Sequence, residues 1–464
     1  MNALWTASEA AIATGGKASG DWHVEGISID TRTLERGDLF VALKGENRDG
    51  HAFVGSALEK GAGAALISDP QAELDSNAPL LFVADTLRGL EALGRAARAR
   101  CPARIVAVTG SAGKTTTKEM LRLALSSQGK VVASAASYNN HWGVPLSLAR
   151  MARDASFGVF EIGMNHAGEI RVLVGQVRPH VAVVTTIAPA HVEYFGTLET
   201  VSDAKAEIFE GVEPGGTVIL PLDNPQFGRL AQRAGECGIE NILSFGTSMG
   251  ADAHLLDAKV VGVKQFVTAE IHGAKMEFAL GAPGAHIASN ALAVLLAAQA
   301  LGADIGTTAS ALADFTPLKG RGARVILGDI ELIDESYNAN PASMSAALSL
   351  LKEASPGSGG RRIAVLGDML ELGAEGPALH RAVKSDIAAG AVDLAFLCGP
   401  QMRALWDILP SDRRGAYAEN SMQLNGPLLS QLRSGDIVLV KGSFGSRMSV
   451  TVEALKTRAA AETV

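Results

Sequence analysis

The stretch Ile105-Val106-Ala107-Val108-Thr109-Gly110-Ser111-Ala112-Gly113-Lys114-Thr115-Thr116-Thr117 limits the fold of this chain more than any other. Apolar residues run into a turn bracketed by Gly110 and Gly113, and Lys118 to Leu123 then read as a helix. A strand, a tight loop and a helix N-terminus in that order belong to a layered α/β fold, with the loop at a carboxyl strand end. The glycines let backbone N–H groups converge on an anion, and the helix start adds partial positive charge. Lys114 brings a mobile cation and Thr115 a hydroxyl suited to Mg²⁺. Gly110, Ser111, Ala112, Gly113, Lys114, Thr115 and Thr116 therefore form a candidate ATP site. The bland alternative is a Gly/Ser/Thr turn, which has no need of Lys and Thr directly after the second glycine. The general phosphate loop has four residues between its glycines. Here only Ser111 and Ala112 intervene, and Val108 stands where the outer glycine would fall.

At 464 residues the length prior gives about three domains. A chain that is 47% hydrophobic, with 51 glycines and 5% aromatic residues, suits alanine- and valine-rich α/β layers. A net charge of −8 argues against a general nucleic-acid binder, which needs clustered cations, so an anionic ligand must meet a local site. Cys101, Cys237 and Cys398 are far apart and odd in number, which implies neither a disulfide framework nor a zinc cluster and fits a reducing cytoplasm. Residues 1–6 lack a basic n-region and an apolar h-region, so no signal peptide is expected. The uncharged stretch 288–303 falls short of the ~20 residues of a membrane span and reads as a packed helix.

Up to about residue 85, apolar runs at 26–29, 38–43, 64–67 and 80–83 alternate with turns and a helical pattern at 52–60, predicting a small α/β domain. Two polar loops follow its strands. One holds Ser28, Thr31 and Arg32, the other Lys44, Gly45, Asp49 and His51. Arg32 or Lys44 could grip a phosphate there, and solvated turn charges explain them equally well. Residues 86–100 read as a helical connector that Pro102 ends.

Downstream, strands at 157–162, 181–187 and 217–220 alternate with helices, implying a mostly parallel sheet with its active site at the carboxyl ends. Glu161 closes an otherwise apolar strand, where an unpaired carboxylate is costly to bury. A metal shared with Thr115 is preferred over a structural salt bridge. His191 follows the next strand by a short turn, although a lone histidine is more often structural than catalytic. Thr200-Val201-Ser202-Asp203 resembles a capping box, so Lys205 is expected in a helix that starts there and ends near Gly211. Val201, Ile208 and Phe209 put Lys205 on the apolar stripe. An inward lysine is either a snorkelling stem or an amine of lowered pKa that can react. The run 284–291 opens the alanine-rich helix, and Asn290 within it could hydrogen-bond a base or cap the helix. Past a boundary near 315–318 a new α/β series has strands at 330–334, 363–366, 394–398 and 437–440. The expected domains are 1–85, 86–317 and 318–464.

With the short phosphate loop, Glu161, His191, Lys205 and the run Tyr337-Asn338-Ala339-Asn340-Pro341 laid out, the chain resembles the Mur ligases of bacterial cell-wall synthesis over essentially its whole length. Residues 161–170, 336–341, and 367–373 with His380 carry a narrower likeness to the branch that adds a dipeptide. The resemblance implies a small N-terminal α/β domain for a UDP-linked substrate, a central ATPase with a mostly parallel sheet, and a C-terminal Rossmann-like domain that closes over the nucleotide. It implies that ATP phosphorylates the terminal carboxylate of UDP-N-acetylmuramoyl-tripeptide and that the amine of D-alanyl-D-alanine displaces the phosphate. The expected enzyme is a cytoplasmic monomer using ATP and Mg²⁺.

Residue by residue, Lys114 and Mg²⁺ on Thr115 and Glu161 would neutralise the transferring phosphoryl group. His191 is similar to the family's second-metal ligand, and Lys205 to the lysine that reacts with CO₂ to give a carbamate. Asn290 resembles the adenine contact. Arg321, Tyr337 and Asn338 would approach ATP on closure, Arg324 is a second candidate for the phosphate-side arginine, and Asp334 or Glu335 would reach the ribose. Asn139 and Asn140 look like the loop near the muramoyl substrate. A relative that adds a single amino acid shares these ATP residues. A non-catalytic nucleotide switch has no use for Glu161, His191 and Lys205 around one phosphate loop.

Overall fold

Apolar alternation sets the layers. In the strand Arg104–Thr109, Ile105 and Ala107 pack into one core and Val106 and Val108 into another, so both faces of the central sheet are covered. The structure, a computed structural model, describes residues 3–45, 48–69, 75, 77–135, 138–189, 192–262 and 264–462.

The N-terminal sheet runs in the order Lys17–Ala18, Leu80–Phe82, Ala64–Ile67, Asp38–Val41, Gly26–Ser28, with the last four strands parallel. It docks on the next layer through Trp5 Nε1, which donates to Ala149 O at 3.0 Å, and through the Arg100 guanidinium stacked 3.7 Å from the Trp5 ring.

In the central nine-stranded sheet, Arg104–Thr109 lies between Phe157–Glu161 and Val181–Val184, both parallel to it. The chain order reverses across that strand, and the crevice such a reversal opens lies at the carboxyl ends. The helix Ala285–Ala300 is buried along most of its length and packs on the phosphate-loop helix Lys114–Ser126. Its alanines allow that close approach, while Leu292, Leu295 and Leu296 fill the core.

Three expectations change here. Lys205 lies in the helix Leu198–Ala206, which begins before Thr200. Thr197 is the N-cap and Thr200 its partner three residues on, because Gly196, at φ 74°, turns the chain into an extended Thr197. Past Ala206 the turn tightens into the 3₁₀ segment Glu207–Gly211. Secondly, the strand expected over 181–187 stops at Val184, and the next residues leave the ladder to brace the phosphate loop. Thirdly, Ala253–Val261, Lys264–Ile271 and Ala274–Leu280 form an antiparallel extension that the sequence reading passed over. Its alternation was present: Gln265, Val267, Ala269 and Ile271 are buried while Lys264, Phe266 and Glu270 are exposed.

The C-terminal sheet has the order Ala323–Leu327, Ile330–Glu335, Ile437–Lys441, Arg362–Gly367, Leu394–Cys398, Arg414–Ala418, parallel except for its first pair. Ile437–Lys441 lies between Ile330–Glu335 and Arg362–Gly367, and Glu335 and Lys441, at carboxyl strand ends, share a cleft with the phosphate loop. Among the described residues no helix is long and apolar enough to cross a membrane.

Candidate active site

The phosphate loop is shaped by what presses on it. Gly110, at φ 148°, must be glycine, because a Cβ there would sit 1.9 Å from Thr185 Oγ1. Gly113, at φ 81°, is left-handed, and its Cβ would lie 2.9 Å from Asn290 Nδ2. Thr185 Oγ1 donates to the carbonyls of Thr109 and Ala112, and the Ser111 N–H donates to Thr186 O at 2.8 Å. Thr185 thus holds the loop. Its only signal in the sequence was a hydroxyl at the end of an apolar strand.

Next to the loop, Glu161 is 1% exposed. Thr115 Oγ1 donates to its Oε2 at 2.7 Å and Asn139 Nδ2 to its Oε1 at 2.8 Å. The Ser134 hydroxyl accepts the Glu161 N–H at 3.3 Å. Both carboxylate oxygens therefore carry neutral hydrogen bonds, and among the described residues no cation lies within ion-pair distance. Lys114 bends back so that Nζ donates to Gly110 O at 2.7 Å. Burial lowers its pKa, the Glu161 charge opposes that shift, and Arg321 adds to it.

Lys205 is 2% exposed, on the inward face that its helical stripe predicted, and it makes no hydrogen bond or ion pair among the described residues. Burial, then repulsion from Lys114, hold its amine well below the ordinary lysine range. His191 lies outside the described residues.

A cleft of about 630 Å³ opens over this floor. Ser111 to Thr116, Asn139, Asn140, Glu161 and Asn290 line it from the central domain, and Arg321, Glu335 and Tyr337 to Asn340 from the C-terminal one. The Arg321 guanidinium stacks 3.8 Å from the Tyr337 ring. Arg324 is turned away and pairs with Glu331. Asp334 does not face the cleft: its carboxylate accepts the Gly320 and Ser336 amides and the Ser336 hydroxyl, which braces the turn before Tyr337. The cleft-facing acid is Glu335, paired with the buried Lys441 at 3.1 Å. Lys441 also donates to Asn338 O at 3.0 Å, a position that sequence reasoning had not assigned. Strand alternation decides between the two acids, since neighbouring side chains point to opposite faces. Asn140 accepts the Trp142 and Gly143 amides and so caps a turn at the cleft rim. In the run 367–373, Asp368 and Met369 are buried and braced internally: Asp368 accepts the Met402 amide at 2.7 Å, and His380 Nε2 accepts the Met369 amide at 3.0 Å.

The N-terminal candidates do not line this cleft. Ser28 is buried against the Asp30 carbonyl, and Arg32 is engaged by Asp30, whose carboxyl falls to about 2. The Thr31 carbonyl accepts Lys60. Lys44 lies 3.8 Å from Asp49, and His51 sits between Asp49 and the Ser68 amide. Gly45 lies against the loop that bears Asn139 and Asn140, since a Cβ there would sit 3.9 Å from the Trp142 ring.

Models of three family domains match the chain in order: the Mur ligase family catalytic domain over residues 23–101, the Mur ligase middle domain over 108–298, and the Mur ligase glutamate ligase domain over 320–444. The chain belongs to the Mur ligase family. Similar curated proteins are UDP-N-acetylmuramoyl-tripeptide–D-alanyl-D-alanine ligases. That of Escherichia coli is 35% identical over 96% of this chain and 96% of its own length. That of Rickettsia prowazekii is 32% identical over 97% and 99%. Among solved structures, MurF from Acinetobacter baumannii superposes with a TM-score of 0.86 at 29% identity, covering 98% of this chain and 99% of that one. MurF from Thermotoga maritima, solved in complex with ADP, gives 0.79 at 25% identity, over 95% and 99%.

Proposed function

We infer that this chain is an ATP-dependent amide ligase that joins D-alanyl-D-alanine to UDP-N-acetylmuramoyl-tripeptide, releasing ADP and phosphate, in peptidoglycan precursor synthesis. The observation that carries the chemistry is the buried Glu161, hydrogen-bonded to Thr115 beside a phosphate loop, with no cation in ion-pair contact among the described residues. The full-length likeness to UDP-N-acetylmuramoyl-tripeptide–D-alanyl-D-alanine ligases supplies the acceptor.

ATP lies with its phosphates on the loop amides and its adenine toward Asn290. Lys114 leaves the Gly110 carbonyl to meet the phosphates, and Arg321 with Tyr337 covers them from the C-terminal side. An all-oxygen pair, carboxylate plus hydroxyl, fits Mg²⁺, which when bound offsets phosphate charge. Thr115 and Glu161 would hold it. The terminal carboxylate oxygen of the tripeptide attacks the γ-phosphorus, the bond to the ADP oxygen breaks, and an acyl phosphate forms. The acceptor amine then adds to the acyl carbon, and the tetrahedral intermediate expels phosphate and loses a proton to leave the amide. Chain residues position and neutralise throughout.

Lys205 is the candidate for carbamoylation. Burial lowers its pKa, which favours the neutral amine, and a neutral amine adds to CO₂ with loss of a proton, giving an anion beside Lys114. The loops bearing Ser28, Thr31, Arg32, Lys44, Gly45, Asp49 and His51 would take the UDP portion, with Asn139 and Asn140 between it and the phosphates. The units 1–85, 86–317 and 318–464 then act as substrate, ATPase and closing domains. We place the enzyme in the cytoplasm, where ATP and nucleotide-linked precursors are found, as a monomer, since its cleft is assembled within one chain.

Phosphate release with D-alanyl-D-alanine should exceed release with single amino acids, and the product mass should equal UDP-tripeptide plus dipeptide less one water. A better single-amino-acid acceptor would overturn the assignment.

A further inference from the structure

Asn340 opens the helix Pro341–Glu353 and does two things at once. Its Oδ1 accepts the Ser343 amide at 2.9 Å and its own N–H donates to Ser343 Oγ at 3.0 Å, which caps the helix. Its Nδ2 also donates, from the C-terminal domain, to the Ser111 carbonyl of the phosphate loop at 3.1 Å. The cap does not need that reach, because serine or aspartate would cap as well.

Ser111 is otherwise tied to the central domain. Its N–H donates to Thr186 O at 2.8 Å, its hydroxyl to Ala188 O at 2.9 Å, and the Ala188 amide donates back at 3.0 Å. The carbonyl of Ser111 shares a peptide plane with the Ala112 N–H. No peptide among the described residues is cis, so the two groups point in opposite directions. Holding the carbonyl toward Asn340 turns the Ala112 N–H the other way. The amides of Ala112 and Gly113 donate to no described residue, and both residues line the cleft.

We propose that Asn340 is a positioning residue: it holds the Ser111–Ala112 peptide from the C-terminal domain, aims the Ala112 N–H at the nucleotide phosphates, and couples docking of that domain to phosphate binding. This rests on the ATP reading above. The coupling is reciprocal, since a phosphate on the Ala112 N–H favours the peptide orientation that accepts from Asn340.

The test compares the full-length wild type with Asn340→Ser and Asn340→Asp, both of which keep a helix cap. Three quantities are read: melting without nucleotide, ADP affinity by calorimetry, and kcat and KM for ATP and for the UDP-tripeptide. Both variants keep the cap, so when free Asn340→Ser should melt only slightly below the wild type and Asn340→Asp somewhat lower, through the lost contact to Ser111. Asn340→Ser should bind ADP about fivefold more weakly, the loss of one neutral hydrogen bond. Asn340→Asp, which sets a carboxylate against the Ser111 carbonyl and the phosphates, should lose about tenfold or more. KM for ATP should rise while KM for the UDP-tripeptide holds. Wild-type ADP affinity in both variants, or an effect confined to melting without nucleotide, overturns the proposal. If Asn340→Ser does not fold, Asn340→Asp and Asn340→Thr carry the same comparison. A wild type that fails to bind ADP would instead sink the nucleotide reading.

Discussion

The carboxyl ends of the central and N-terminal sheets both carry charged residues in loops after parallel strands, yet they differ in what those residues have left to give. In the N-terminal loops the charges are met locally: Arg32 by Asp30, Lys44 by Asp49, His51 by Asp49 and the Ser68 amide. The Arg32 and Lys44 pairs are largely solvated, form within a few residues and contribute little each, whereas His51 is buried. In the central cleft Glu161 is buried with neutral partners only, and Lys205 is buried with none described. Burying an ionisable group is costly, so it persists where a ligand completes the site. Burial of ionisable groups, more than their presence, separates the central cleft from the N-terminal loops.

Substitutions can break this contrast. The largest loss should come from Lys114→Ala and Glu161→Ala, each lowering ligation by about a thousandfold or more, as removing charge stabilisation at a transferring phosphoryl group does. Phosphate release from UDP-tripeptide with D-alanyl-D-alanine reads it. Near-normal turnover in both would remove the centre of the account. Lys205→Ala should lose about 10- to 100-fold, the scale of residues that support a metal site, and small carboxylates should restore part of it. Because its amine titrates below the usual lysine value, wild-type activity should fall on the acid side as protonation through that lowered pKa removes the reactive form. A variant unchanged in rate and unresponsive to acetate would place Lys205 outside the chemistry. Smallest are Arg32→Ala and Lys44→Ala, expected to raise KM for the UDP-tripeptide by less than about tenfold with KM for ATP unmoved, since each releases an exposed charge. Equal effects on both KM values would erase the distinction between the central cleft and the N-terminal loops.

Much of the central floor was legible because burial and charge conflict along the chain itself. An acid ending an apolar strand, at Glu161, and a lysine on an apolar stripe, at Lys205, are contradictions visible in the order of residues alone. What stayed hidden depends on contacts across the fold. Nothing near Thr185 says that it will hold Ala112, 73 residues before it, and nothing near Asn340 says that it will reach Ser111. The choice between Asp334 and Glu335 needed the facing of one strand, which a register of side chains supplies and a motif does not. The antiparallel extension was passed over although its alternation was present, since charged residues such as Lys264 and Glu270 interrupt the apolar run that marks a buried parallel strand.

The central claim is that the cleft activates a carboxylate as an acyl phosphate. Its most direct test is to supply UDP-N-acetylmuramoyl-tripeptide labelled with oxygen-18 in the terminal carboxylate, together with ATP and D-alanyl-D-alanine, and to weigh the released phosphate. The account predicts one labelled oxygen in that phosphate, because the oxygen that attacks phosphorus leaves with it when the amine displaces the acyl group. Amide formed with unlabelled phosphate would contradict it.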